Sequence, residues 1–396
     1  MKETIKQRAD KVIANTYARY NVAFERGQGS TLWDSEGKSY TDFVAGIAVV
    51  NLGHAHPAVA KALTDQALRL VHVSNLYYTE PQVELAEWLV KNSFADKVFF
   101  GNSGAEANEA AIKLARKYHY VKGDTGRNKI ITMTMSFHGR TMATLTATGQ
   151  DKIKEGFAPV LPGFDYVPYN DFEALEAKMD SSVCAVMLEP VQGEGGIRCP
   201  DPGYLKKVRD LCDKHGALLI FDEIQTGMGR TGTLFAYQHE QVVPDIMTLA
   251  KALGNGLPIG TMLAKDEVMK AFTPGSHAST FGGTPLVAAA ALEVVKTMDR
   301  EKLVEACREK GEYFLKKLEG LKAKHPVIAD VRGRGLLVGA KLTMEGAPVV
   351  QACFERGFLI NCVQGDTLRF IPPLTIAVED IDSLIECLDS VLGTFE

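Results

Sequence analysis

Lys251 ends an apolar run, VVPDIMTLAK, and is followed at once by ALGNGLPIG, a loop rich in glycine and proline. An ammonium group at the end of a buried strand is stripped of water. That lowers its pKa from about 10.4 and frees the amine lone pair. This is the state a lysine needs to form an imine with an aldehyde. A lysine snorkelling to solvent would need no such chemistry, so the neighbouring motifs decide between the two.

Three further apolar runs end in residues that can do chemistry. KVFFG turns through Asn102, Ser103 and Gly104 into the helical stretch AEANEAAIKLARKY. Free backbone amides and the positive end of a helix dipole at that turn suit an anion, and Ser103 adds a hydroxyl. The same serine could simply cap the helix. ALLIF ends in Asp222 and Glu223, with Gln225 two positions on. Neighbouring residues of a strand point to opposite faces, so these two carboxylates cannot both serve one pocket. A carboxylate at a buried strand end is costly unless it meets a cation. MLEPVQGEGG carries Glu189 and then a glycine-rich loop, where the backbone can approach a flat ligand and Glu194 sits on the rim.

The elements that must hold these groups alternate. KIITMTM, VCAVML and ALLIF are short apolar runs, each near a stretch of helical period such as PGYLKKVRDLCDKHG. That predicts an α/β fold with a mainly parallel sheet covered by helices on both faces. In such sheets chemistry collects at the carboxyl ends of the strands. TLWDSEGKSYTDF predicts a hairpin turning at Glu36–Gly37. After about residue 300 the texture changes to a long helical region, two strands in VRGRGLLVGAKL and TLRFIPP, and a final amphipathic helix. We therefore expect a large α/β domain over 55–300, and a smaller α+β domain built from 1–54 together with 301–396.

Composition narrows the classes. A net charge of −5 without long runs of one sign gives no reason to expect a nucleic-acid or anionic-membrane partner. The polar, mixed-charge opening MKETIKQRADKVIANTY argues against a signal peptide, and no apolar stretch is long enough for a membrane helix. Seven dispersed cysteines without a C-x-x-C pair read as reduced packing thiols of a cytoplasmic protein. No His/Asp set has metal-ligand spacing, and HAHP reads as a turn before a proline-led helix. GRGLLVG departs from G-x-G-x-x-G and runs on into a strand, which argues against a nicotinamide-dependent oxidoreductase.

Phosphate, ring nitrogen and aldehyde are the three handles of pyridoxal 5′-phosphate. The Ser103–Ala105 turn, Asp222 and Lys251 match them one to one. SGAEANE, FHGRT, EPVQGEGG, DEIQTGMGRTG, TLAKALGNGLPIG and STFGGTP occur in an order that resembles the class III aminotransferases of fold type I, across essentially the whole chain.

The resemblance implies roles. Gly104 and Ala105 would bind phosphate and Phe137 would stack on the ring. Asp222 would pair with the ring nitrogen, with Glu223 and Ile224 on the same turn and Gln225 near the 3-oxygen. Lys251 would hold the cofactor covalently. Thr280 would reach the cofactor of a second copy, implying a homodimer with shared sites. Arg140 would clamp a substrate carboxylate, with Ser279 near the substrate chain. Arg369 would grip the α-carboxylate of glutamate, and Glu194 would neutralise that arginine when an ω-amine is bound.

GIAVVNLGHAHP and HVSNLYYTEPQ resemble the branch of the family that acts on acetylornithine. This implies an amino donor of that kind, 2-oxoglutarate as acceptor and a place in arginine biosynthesis. Enzymes acting on succinylornithine, succinyldiaminopimelate, ornithine or 4-aminobutyrate share the same catalytic set and stay open as alternatives.

Overall fold

The computed structural model describes residues 4–395. Its central sheet is built from β1 (Lys97–Gly101), β2 (Lys129–Met133), β3 (Phe164–Val167), β4 (Val183–Leu188), β5 (Leu218–Asp222), β6 (Ile246–Leu249) and β7 (Gly260–Ala264). Across the sheet they lie in the order β1-β7-β6-β5-β4-β2-β3. Neighbours from β3 through to β6 pair in parallel, and β7 runs antiparallel to both β1 and β6. The reversal follows from chain length. Only a short loop joins β6 to β7, whereas a parallel partner needs a crossover of a dozen residues or so.

Every residue of β4, β5 and β6 is buried, as expected of strands covered on both faces. One cover is the helix α1 (Gly104–Val121), whose buried stripe of Ala107, Ala110, Ala111, Leu114 and Ala115 lets it lie close to the sheet. The other face carries α2 (Tyr204–His215), which stops at Gly216 in the left-handed conformation, φ +62°.

The hairpin expected in TLWDSEGKSYTDF forms from strands Thr31–Asp34 and Ser39–Asp42, with Gly37 at φ +85°. Phe358–Leu359 pairs in parallel with Ser39–Asp42, so the N-terminal and C-terminal parts of the chain share one sheet. A second antiparallel sheet holds Ile328–Arg334, Leu337–Leu342, Thr367–Phe370 and Asn361–Val363. GRGLLVG is the turn of its first hairpin. The aromatic rings of Phe43, Phe314 and Phe370 pack in series between these segments.

Arg230 ties the parts together. Its guanidinium, fully buried, donates to the carbonyls of Leu336 and Pro372 at 2.9 and 2.6 Å and to Asn51 Oδ1 at 2.5 Å. In HAHP, His54 Nε2 meets Asp42 Oδ2 at 2.8 Å, while His56 and Pro57 open the helix Pro57–Ala67. Five of the seven cysteines are buried. Among the described residues, no helix is long and apolar enough to cross a membrane, and no three His, Cys, Asp or Glu side chains cluster as a metal site would need.

Candidate active site

The four strand ends converge on one edge of the sheet. β5 ends in Asp222, which is buried beneath α1 and the loop after β2. Its Oδ2 accepts from Asn108 Nδ2 at 2.8 Å and from His138 Nδ1 at 2.7 Å, and its Oδ1 accepts from the Ile224 amide at 3.0 Å. A carboxylate can only accept, so His138 carries its proton on Nδ1. Asn108 is held in turn by Thr248 Oγ1 at 2.8 Å and by its own bond to the His138 carbonyl at 2.8 Å. This network leaves Asp222 one orientation.

Glu223, expected beside the cofactor, turns its side chain the other way. It accepts from the Ala236 and Tyr237 amides at 2.6 and 2.9 Å and from Thr226 Oγ1 at 3.3 Å. Strand alternation is the cause. Burial pushes its carboxyl up to about 7, against those three hydrogen bonds.

Lys251 opens a single 3₁₀ turn, Lys251–Leu253, just past β6, with φ +44°. A non-glycine residue in the left-handed region costs of order 1 kcal/mol and persists only where the surroundings impose it. Its Nζ makes no hydrogen bond or ion pair among the described residues. Loss of water lowers its pKa; Glu194 opposes this, Arg369 adds to it, and Asp222 and Glu189 oppose it.

At the turn after β1, the amides of Gly104 and Ala105 have no acceptor among the described residues. Ser103 Oγ caps α1 by accepting from the Glu106 amide at 3.2 Å. Gly104 is required here, because a Cβ would stand 2.7 Å from Ile224 Cδ1. Likewise a Cβ on Gly193 would stand 1.9 Å from Gln225 Oε1. That buried oxygen has no hydrogen-bond partner.

Arg369 Nη1 meets Glu194 Oε1 at 2.5 Å, and Arg369 Nε donates to Asn361 Oδ1 at 3.2 Å. Burial alone would raise the Glu194 pKa; Arg369 and Lys251 bring it below the ordinary carboxylate value. In front of this pair lies a cavity of about 500 Å³ lined by Phe137, Arg140, Lys152, Glu194, Cys362 and Gln364. The Arg140 guanidinium stands 5.6 Å from the centre of the Phe137 ring and has no ion pair among the described residues.

Ser279 and Thr280 lie away from that cavity, beside the β1 turn. Ser279 Oγ accepts from Asn102 Nδ2 at 3.0 Å and from the Gly282 amide at 3.1 Å. Thr280 is exposed next to the exposed Phe281 and lines a small hollow with His72, Asn75 and Thr79.

Sequence reasoning gave no role to Asn108, His138, Thr248, Glu189 or Asn361. Asn108 did leave a trace, being a polar residue among the alanines that open the buried face of α1. His138 and Thr248 lie 84 and 140 residues from the groups they hold, and Glu189 lies 52 from Phe137, whereas Asn361 is only eight from Arg369.

Comparison with known proteins agrees with this geometry. The chain is 53% identical to the acetylornithine aminotransferase of Caldanaerobacter subterraneus subsp. tengcongensis, over 97% of this chain and 98% of the relative. It is 52% identical to that of Methanocaldococcus jannaschii, over 95% and 94%. Among solved structures, the ornithine aminotransferase of Toxoplasma gondii superposes with a TM-score of 0.95 at 35% identity, covering 98% of this chain and 94% of that one. The N-acetylornithine aminotransferase of Stenotrophomonas maltophilia gives 0.85 at 39%, covering 98% of both. The family model described as Aminotransferase class-III matches residues 12–392, and with a lysine, an aspartate and a turn of free amides gathered at one sheet edge, the chain belongs to the class III aminotransferases.

Proposed function

We propose that the protein transfers the distal amino group of N2-acetyl-L-ornithine to 2-oxoglutarate, giving N-acetyl-L-glutamate 5-semialdehyde and L-glutamate, as a step of arginine biosynthesis. The dispersed free thiols support a cytoplasmic setting. The observation that carries the substrate reading is the pairing of charges around the cavity: Arg369 is already neutralised by Glu194, while Arg140 is unpaired. An acylated ornithine has one carboxylate and a neutral, blocked α-amine. It needs one free arginine, and this site offers Arg140.

The residues present fit pyridoxal 5′-phosphate. The unpartnered Gly104 and Ala105 amides would hold its phosphate beside Ser103. Asp222 would meet the ring nitrogen, with Phe137 and Ile224 on the ring and the Gln225 amide, whose NH₂ would donate, near the 3-oxygen. Lys251 would hold the aldehyde carbon. When bound, the cofactor supplies a conjugated ring that takes up the electron pair left as a C–H bond breaks.

The chain supplies the rest. Once the substrate amine has displaced it, Lys251 Nζ, poorly hydrated, would take the proton from the substrate carbon bearing the amine and return it to the carbon it had itself held. Asn108 and His138 fix the carboxylate of Asp222, which would meet the ring nitrogen. Arg140 orients the substrate through its carboxylate, since a guanidinium grips that group with two parallel bonds. Phe137 and the glycine-rich loop exclude water. Thr280 is exposed next to an exposed aromatic, Phe281, which supports a homodimer in which Thr280 of a second copy completes each phosphate site.

The test is a panel of single-turnover half-reactions with the purified holoprotein, followed by cofactor absorbance. Acetylornithine should react fastest, ahead of succinyldiaminopimelate, ornithine and 4-aminobutyrate. A protein that reacts with none of these amines, or prefers free ornithine, would overturn the reading.

A further inference from the structure

We infer that Glu189 is a positioning residue that fixes the two walls of the site to each other and thereby sets the discrimination between the two amino donors. The inference rests on the function proposed above.

Glu189 directly follows β4 and is 6% exposed. Its two oxygens serve different loops. Oε2 accepts from the amide of Phe137 at 3.1 Å, and Oε1 accepts from the amide of Gly193 at 3.2 Å. Phe137 belongs to the loop that covers the ring site, and Gly193 precedes Glu194. The Gly193 carbonyl is itself 3.4 Å from Arg369 Nη1. One carboxylate therefore bridges the ring-covering wall and the wall that carries the Glu194–Arg369 pair.

Other bonds hold these loops at other points. Gln192 and Arg198 exchange two backbone hydrogen bonds of 3.0 and 3.1 Å, Arg332 grips the Gly196 carbonyl, and Gln364 Nε2 donates to the Glu194 carbonyl at 2.6 Å. On the other wall, the His138 amide donates to Thr148 Oγ1 at 2.9 Å. Gln192 Nε2 also crosses between the loops, donating to the Thr134 carbonyl at 3.0 Å, but it holds the foot of the ring-covering loop; Glu189 is the bridge that reaches Phe137 itself.

The position is a costly one for an acid. Glu189 has no ion pair; burial pushes its carboxyl up to about 7, with His138 opposing and Asp222 adding to the rise. A side chain with a single acceptor could not serve both amides, because glutamine would set its own donor against one of them. The requirement for two acceptors accounts for an acid where a neutral residue would be cheaper to bury.

The experiment compares wild type, Glu189→Gln, Glu189→Asp, Glu194→Ala and the E189Q/E194A double variant as holoenzymes. Two readouts are taken: single-turnover rates with acetylornithine and with glutamate, and hydrogen exchange of the segments 134–140 and 190–197. E189Q should speed exchange in both segments and shift the ratio of the two half-reaction rates by about tenfold, with Glu189→Asp intermediate. Because the effect passes through Glu194, E189Q should change that ratio by less than about twofold in the E194A background.

An unshifted ratio, unchanged exchange, or fully multiplicative effects in the double variant would each overturn the proposal. If E189Q does not fold, the Glu189→Asp ratio and exchange decide by the same criteria. A wild type that reacts with neither donor rejects the proposed function instead. A wild type that reacts with both, beside an E189Q of unaltered ratio, rejects only the role of Glu189.

Discussion

Arg369 and Glu194 meet at 2.5 Å, but they are not equal partners. The arginine side chain is 1% exposed and is pinned by Asn361 and the Gly193 carbonyl, whereas the glutamate side chain is 28% exposed on a glycine-rich loop. Such a pair opens from the glutamate side alone. An incoming carboxylate can take the place of Glu194 while the guanidinium stays where it is. One cavity can then receive a donor with a single carboxylate and, in the other half of the cycle, glutamate with two.

Replacing Glu194 by alanine leaves a buried guanidinium without its counter-ion, a loss of several kcal/mol that a bound α-carboxylate restores. Glu194→Ala should therefore raise the glutamate half-reaction relative to acetylornithine by about 10- to 100-fold, the equivalent of roughly 1.4–3 kcal/mol. Single-turnover rates with each donor measure it. An unaltered ratio would remove the switch.

Gly104 offers a test of the anion turn that leaves every charge in place. An added Cβ would press on Ile224 at 2.7 Å, so Gly104→Ala should displace the turn or the ring-facing Ile224. Overpacking of this kind costs about 1–3 kcal/mol, which predicts cofactor binding weakened about 5- to 100-fold. Trimming the neighbour relieves the clash, so Ile224→Val in the Gly104→Ala background should recover much of the loss. Equilibrium dialysis of the cofactor follows both variants. A double variant no better than Gly104→Ala would show that the glycine matters for some reason other than Ile224.

Much of this was legible in the chain because a strand end is a local event. Apolar runs that stop at Lys251, Asp222, Glu189 and Gly101 mark the sheet edge in the sequence itself, and strand alternation sets Glu223 against Asp222, although the resemblance places both beside the cofactor. Two kinds of feature stayed hidden. The direction of β7 is set by a short return loop, and nothing in the period of GTMLA distinguishes parallel from antiparallel. The supports of Asp222 come from Asn108 and His138, 114 and 84 residues earlier. Such contacts arise from the packing of a helix and a loop on the sheet and leave little local pattern.

Glu223 predicts a pH dependence of stability. Its carboxyl titrates near 4.5 ordinarily and near 7 in the fold, so the folded protein holds a proton the unfolded chain has released between those values. Its contribution is fully present below about pH 4.5 and is lost as pH rises through about 7, a change of roughly 3 kcal/mol. Buried His119 and His239, whose pKa values are lowered chiefly by burial, act in the opposite direction. The decisive quantity is therefore a difference. Urea unfolding of wild type and Glu223→Gln from pH 4.5 to 8 should show the wild type losing its relative advantage as pH rises. A constant difference would mean that Glu223 titrates alike in both states.

Lys251 combines two costs that only chemistry repays: a left-handed backbone at φ +44° and an amine deprived of water. Asparagine tolerates the left-handed region and carries no charge. In the cofactor-free protein, Lys251→Asn should therefore be more stable than wild type by about 1–2 kcal/mol, the usual exchange between stability and activity at a strained site. The same variant should lose transamination by a factor of about 10³ or more, since both the covalent hold and the proton carrier are gone. Borohydride reduction of the wild-type holoprotein should leave a pyridoxyl group on the peptide containing Lys251, and the variant should take up none. A variant that is less stable without cofactor would show that the left-handed turn is comfortable for lysine. A wild type reduced without any label at 251 would remove that residue from the chemistry altogether.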